Sequence, residues 1–305
     1  MKASLPSWLS GLLVLIVMPF FFISGPDALS STFLNNMWNF GHIVFFALAV
    51  LLIQAFTHLE TWRHWLIVTL VATALGCLIE FVQYFIGRNS SLGDVLHNLF
   101  GVWLGLFWGQ KPIGRVWLLR VVSVLLVLPA FWLVVDSGMA NIAMRYQFPQ
   151  LNSFDSRAEM QQVKPNLRQV KIQKVSAIHT HGSHALQVVL STHRYAGVSL
   201  LGPSGDWGKY KVIAMDFYNP DAEPLELVIR ISDLQHDRGA HQLNDRFNRR
   251  LVLIQGWNQV QIDLDDVRTA PHDRAMQMDE ISNITVFAMK VSEVREFYWD
   301  NVRLQ

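Results

Sequence analysis

Cysteine is nearly missing: Cys77 is the single one in 305 residues, so no internal disulfide can staple the chain. Charge is scarce in the first half, where residues 1–143 hold 11 of the 49 Asp, Glu, Lys and Arg residues. Long basic runs are absent and the net charge is +1, which leaves no electrostatic footprint for a nucleic acid. Internal repeats and low-complexity segments are missing too, so the length implies distinct domains, a membrane half followed by a soluble half.

What the first half has is apolar runs. Residues 9–23 follow Lys2 and are short for a span, since crossing a bilayer takes about 20 residues. A signal peptide cleaved near Ala28-Leu29-Ser30 competes there with a first helix. Further runs at Gly41–Phe56, Trp65–Ile86, Leu92–Trp108 and Val116–Val135 make an α-helical membrane bundle of about five helices over residues 1–135. Lys2, Arg63, Lys111, Arg115 and Arg120 fall on one side of it, and Arg88 and Arg145 on the other. The positive-inside rule then places the N-terminus in the cytoplasm and everything after the fifth helix outside it, in the periplasm or its equivalent.

Polar residues inside such runs are costly and normally face a bundle interior or a wet cavity. Glu80 and Gln83 share one helix face; Asp94, Asn98, Gly101 and Gly105 form one stripe on the next helix, and Arg88 lies in the turn between. His42 opens the second helix at the same outer level, so the set His42, Glu80, Gln83, Arg88, Asp94 and Asn98 can converge. Three readings stay open: a cluster that fixes packing, a site for a lipid or glycan headgroup with Arg88 on phosphate, or catalysis with Glu80, Asp94 or His42 as acid or base. The Gly-x-x-x-Gly half of the stripe lets a neighbouring backbone approach closely.

This pattern, with His42-Ile-Val-Phe-Phe ahead of it, resembles the VanZ-like family over residues 36–108. Those are small bacterial membrane proteins named for a teicoplanin-resistance factor. The resemblance implies a cell-envelope role in a bacterial cytoplasmic membrane, and it supplies no reaction. The family's Asp-Lys pair ahead of the His is replaced here by Trp38 and Asn39, so a role needing those charges does not carry over.

Asp136, Ser137, Gly138 and Pro149 mark residues 136–150 as a linker. Residues 151–305 then read as an all-β domain, with strands at 169–175, 185–190, 197–201, 211–218, 225–231, 250–254, 258–264, 281–289 and 297–304. Alternation is plain in Leu225, Leu227, Ile229 and Ile231 and in Val260, Ile262 and Leu264, with turn signals such as Gly202-Pro203-Ser204-Gly205 between strands. Nine strands imply a two-sheet sandwich with Trp207, Trp257 and Trp299 as core or turn anchors. The 233–249 loop offers His236, Asn244, Asp245, Arg246 and Asn248 as planar polar groups for a sugar, with Phe247 as a platform. His179, His181 and His184 in HTHGSH read as a solvated loop.

The phrases WGKYKVIAMDFYNP, LVIRISD, GWNQVQIDLDDV and FYWDNVRL resemble carbohydrate-binding jelly rolls of the galactose-binding-like type. That resemblance implies a glycan ligand and, through Asp155 and Asp300, a structural calcium. The functional expectation is a non-enzymatic envelope protein whose sandwich binds glycan and whose helices meet a lipid headgroup or lipid-linked sugar. An enzyme working through Glu80 or Asp94, and a scaffold with the helices as anchor, are its alternatives.

Overall fold

The computed structural model describes residue 12 and residues 32–85 and 92–305. The first apolar run, apart from residue 12, lies outside the described residues, as do Arg88 and the side chains of Glu80 and Gln83. Contacts divide the chain into two compact units that change over between Asp136 and Ser137.

Among the described residues the long helices are four: α1 (Thr32–Phe56), α2 (Trp62–Phe85), α3 (Leu92–Trp108) and α4 (Arg115–Gln147). Three stretches among the described residues are long and apolar enough to cross a membrane, Thr32–Phe56, Trp62–Ile79 and Arg115–Gln147. Of the five spans expected from sequence, the first lies outside the described residues, and α3 has 17 residues, short of the about 20 that a crossing takes. The linker expectation also needs correction, because α4 continues to Gln147 through Asp136, Ser137 and Gly138.

The glycine stripe does what its spacing implies. A Cβ on Gly101 would fall inside the van der Waals radius of the Ile43 carbonyl oxygen, and one on Gly105 inside that of Ala47, so α1 and α3 touch backbone to backbone. Gln54 reaches across the same contact, donating to the Gly105 carbonyl at 2.9 Å. Arg120 closes the end of α3, donating to the carbonyls of Phe107 (3.0 Å) and Trp108 (3.3 Å) in its last turn and to that of Gln110 (2.6 Å) just beyond it. It is 8% exposed, so this charge serves a helix end rather than a membrane surface.

Two antiparallel sheets form the second unit. One follows the order β3 (Lys171–Val175), β4 (Ala185–Val189), β11 (Glu296–Leu304), β6 (Val212–Asn219), β9 (Gly256–Asp263), with β1 (Gln150–Asn152) also on β11. The other runs β2 (Val163–Pro165), β5 (Ala196–Leu201), β10 (Ile281–Ala288), β7 (Leu225–Asp233), β8 (Phe247–Leu253). All nine expected strands are present, and β1 and β2 are additional.

Strand alternation sends Val198, Leu200, Leu227, Ile229, Ile231, Ile284 and Val286 inward from the second sheet, against Leu186, Val188, Met215, Phe217, Phe297 and Trp299 of the first. Burial of each large apolar side chain stabilises by about 1.5–3 kcal/mol. Trp299 stacks on Phe217 at 5.8 Å between centroids, and Trp207 is wholly buried, as expected for both. The second sheet is unusual at its centre, where all eight residues of β10 are buried, including outward-facing Asn283, Thr285 and Phe287. Polar side chains are buried on that outer face because loops fold over it, and a cleft lies there.

Candidate functional site

The cleft opens on the outer face of the five-stranded sheet and has a volume of about 400 Å³. Register puts Ser199 of β5, Thr285 of β10 and Arg230 of β7 side by side across its floor. Ser199 and Thr285 share a hydroxyl hydrogen bond at 2.9 Å. Asn283 Nδ2 donates to Ser232 Oγ at 2.8 Å and to Asp237 at 3.3 Å, so the floor is a connected polar network.

Loops supply the walls. Asn166 accepts the Gly197 N–H at 2.8 Å and donates to the Tyr195 carbonyl, which fixes the loop carrying Arg194 and Tyr195. The Tyr195 ring meets Phe287 edge to face at 5.8 Å, and the Arg230 guanidinium lies 5.1 Å from the Phe287 centroid. Arg194 covers Tyr195 at 4.9 Å. An aromatic pair, planar amides and guanidinium forks on one concave surface are what a sugar ring with its hydroxyls requires.

The opposite wall is built from the end of β7. Asp233 caps the short helix α5 (Leu234–Arg238) by accepting the His236 N–H at 2.9 Å, and this turn delivers His236 and Asp237 to the cleft. Burial pushes the Asp233 carboxyl up, yet bonds from Arg274 and from the Gln277 and His236 amides outweigh it and hold it below the ordinary range. Asp245 is held low too, first by Arg274 and also by His236. His236 Nδ1 sits 3.2 Å from Asp245, and its Nε2 lies 3.5 Å from Arg246 Nη1.

The six residues expected to hold a sugar therefore separate. His236 and Arg246 line the cleft. Asp245 stands behind His236 and is tied to Arg274 at 2.6 Å. Asn244 and Asn248 are exposed and lie outside the lining. Phe247 cannot be a platform: it begins β8 opposite Ile231 and points into the core, 7% exposed. Sequence reasoning missed Arg230, Tyr195, Asn283 and Phe287, which come from three distant segments. Their one local signal is polar residues at the outward positions of strands that are otherwise apolar.

His236, Asp237 and His241 bring three ligand atoms within 4.8 Å of one another. Asp237 is already engaged by Ser232 and Asn283, and the Arg246 guanidinium beside His236 opposes a cation there.

Asp155 and Asp300 both grip the 176–184 loop. Asp300 Oδ2 accepts the N–H groups of Thr180 (2.6 Å) and His181 (2.9 Å), while Asp155 Oδ1 accepts the N–H and hydroxyl of Ser183, each at 2.8 Å. Burial pushes the Asp155 carboxyl up, but its bonds from Ser183, His184 and Ser153 bring it below the ordinary range. Among the described residues, neither aspartate belongs to a group of three His, Cys, Asp or Glu ligands.

In the helical unit the expected polar cluster is met in part. His42 Nδ1 and Asn98 Oδ1 are 2.9 Å apart across α1 and α3, and the two residues are 3% and 1% exposed. Gly76 of α2 faces the same amide, since its Cβ would lie 3.1 Å from Asn98 Nδ2. Buried and bonded to each other, His42 and Asn98 pack the helices. Asp94, in the first turn of α3, is partly exposed.

No protein-family model matches the chain, and no curated protein matches it. The VanZ-like resemblance of residues 36–108 thus stands on its sequence motif alone. Among solved structures the chain is similar to a family 11 carbohydrate-binding module from Clostridium thermocellum in complex with a β-1,3-1,4-mixed-linked tetrasaccharide. Identity is 18%, covering 47% of this chain and 86% of that one, with a TM-score of 0.35. It is similar to the CBM22-1 xylan-binding domain of Paenibacillus barcinonensis Xyn10C at 13% identity, covering 50% and 90%, with a TM-score of 0.34. An exo-β-agarase is similar at 14% identity and a TM-score of 0.40 over 51% of this chain, which spans 24% of the agarase. The functional reading of the cleft rests on its own geometry.

Proposed function

We propose that the β-sandwich binds a glycan in the outer-face cleft, and that the helical unit holds it at a bacterial cell membrane with the sandwich outside the cytoplasm. The observation that carries the first part is the convergence of Tyr195, Phe287, Asn166, Asn283, Arg230 and Arg246 on one cleft of about 400 Å³. The second part is supported by three apolar helices whose large side chains point outward, among them Leu70, Phe81, Leu125 and Phe131. Such faces call for lipid. A lipid headgroup or lipid-linked sugar would then be met by Asp94, Glu80, Gln83 and Arg88, because His42 and Asn98 are buried against each other.

The glycan reading is tested by oligosaccharide-array binding of the full-length protein in lipid nanodiscs. Saturable binding is expected, and Tyr195→Ala should weaken it ~3–10-fold by removing the exposed aromatic. A folded protein that retains no glycan would overturn the proposal. Orientation is tested by adding protease to intact spheroplasts, which should remove the sandwich and leave a protected helical fragment. Complete protection of the sandwich would reverse the topology.

A further inference from the structure

Three arginines, Arg194, Arg230 and Arg246, line the cleft against one carboxylate, Asp237. That carboxylate offsets one positive charge, favouring the protonated forms of Arg230 and Arg246 while it accepts from Ser232 Oγ and Asn283 Nδ2 at 3.3 Å each, so an excess of positive charge remains. The Nε groups of both Arg230 and Arg246 are buried and have no hydrogen-bond partner. Buried donors left without an acceptor, on like charges in one recess, are costly unless something with matching charge enters.

We propose that the cleft takes an acidic saccharide, whose carboxylate, sulfate or phosphate is received by Arg230 and Arg246. This rests on the glycan reading above and specifies its chemistry. A neutral sugar can offer hydroxyl oxygens to the two Nε donors, but it leaves the paired charges uncompensated. An anionic oxygen group satisfies donors and charge together, and a planar guanidinium fork matches its geometry. Phe287 holds the Arg230 fork in place from one side, which leaves its edge for the ligand. Burial first, and the Arg246 charge next, push Arg230 down to about 10 against the opposing pull of Asp237. Burial lowers Arg246 as well. An anion between them reverses that penalty.

The test is calorimetric titration of the full-length protein in nanodiscs with matched pairs. One pair is tetragalacturonate and its fully methyl-esterified form; the other is a sulfated galactan oligosaccharide and its desulfated counterpart; inorganic sulfate is run alone. The acidic member of at least one pair should bind ~10-fold tighter than its neutral partner. Its advantage should shrink as salt rises from about 0.05 M to about 0.5 M. The pair that shows the preference identifies carboxylate or sulfate as the group read. Arg230→Gln and Arg246→Gln should bring the acidic-to-neutral ratio towards one. If either variant fails to fold, the matched pairs and salt series on the unaltered protein decide the matter. Equal binding of both members in both pairs overturns the charge inference and leaves the glycan reading standing. Absence of binding to all four sugars by a protein that binds glycan on the array overturns the charge inference alone, absence on the array as well overturns both, and inorganic sulfate bound as tightly as any acidic sugar replaces the saccharide with a free oxyanion.

Discussion

Arg274→Ala is expected to destabilise the sandwich by about 3–5 kcal/mol, the cost of leaving one partner of a buried ion pair alone. The Asp233 side chain has no exposed surface, and Arg274 grips both of its oxygens, with Nη2 2.8 Å from Oδ1. The same guanidinium sends Nε to Asp245 at 2.6 Å. Asp233 also accepts the Gln277 N–H at 2.8 Å and caps α5, so one arginine ties together the end of β7, the helix that delivers His236, and the 274–277 segment. Arg274→Lys keeps the charge without the fork and should recover only part of the loss. A denaturant midpoint that did not move in Arg274→Ala would show that water or a neighbour replaces the guanidinium. Because Asp245 orients His236, glycan affinity should fall in the same variant at temperatures where it remains folded.

Acid separates this ion pair from a simple packing effect. Asp233 and Asp245 both have folded values below the ordinary 3.8. Their contribution is therefore present above that value and is lost as pH falls through the folded values. Without Arg274, the burial that raises the Asp233 carboxyl is opposed only by the Gln277 and His236 amides. The stability gap between the two proteins should be widest near neutrality and narrow in acid. A gap of constant size at all pH values would assign the loss to packing.

Much of the sandwich was legible because β7 and β9 alternate and turn residues separate the other apolar runs, and both are local signals. Strands β1 and β2 have three residues each, too few to show a period, and they exist because β11 and β5 offer them edges. The start of β8 was hidden by Arg249, which occupies an inward position opposite Ile229 yet sends its guanidinium out to the Gln261 carbonyl. That one residue turned Phe247 from a core side chain into an apparent loop aromatic. Gly138 and its polar neighbours looked like a linker, but a glycine costs a helix only about 1 kcal/mol, and α4 runs on until just before Pro149. His236 and Arg246 could be found because they share a loop. Arg230, Tyr195 and Phe287 could not, because their proximity is set by the pairing of β10 with β5 and β7.

Asp300→Ala should cost about 1–3 kcal/mol, the cost of leaving buried donors without their acceptor. Asp300 is wholly buried and lies directly opposite Asp216 in the β11–β6 register, an arrangement that places two acidic groups together. The 176–184 loop makes it tolerable: Thr180 and His181 give their amides to Asp300, and the Thr180 hydroxyl lies 2.7 Å from Asp216 and 3.1 Å from Asp300. Loss of the carboxylate should release this loop, seen as faster amide hydrogen exchange at Thr180 and His181. Burial pushes the Asp300 carboxyl above 3.8, against the bonds from His181, Thr180 and Asn301 that oppose it. Its contribution is therefore full below the ordinary value and declines as pH rises through the folded one, so the substitution should cost most in acid and less near neutrality. Calcium held by Asp155 and Asp300 would reverse that order, since a bound cation keeps a carboxylate ionised. If the loop donors do the work, a chelator leaves the unfolding midpoint of the full-length protein in place. A midpoint that falls on chelation and returns with calcium, together with a penalty largest near neutrality, would instead make the two aspartates ligands.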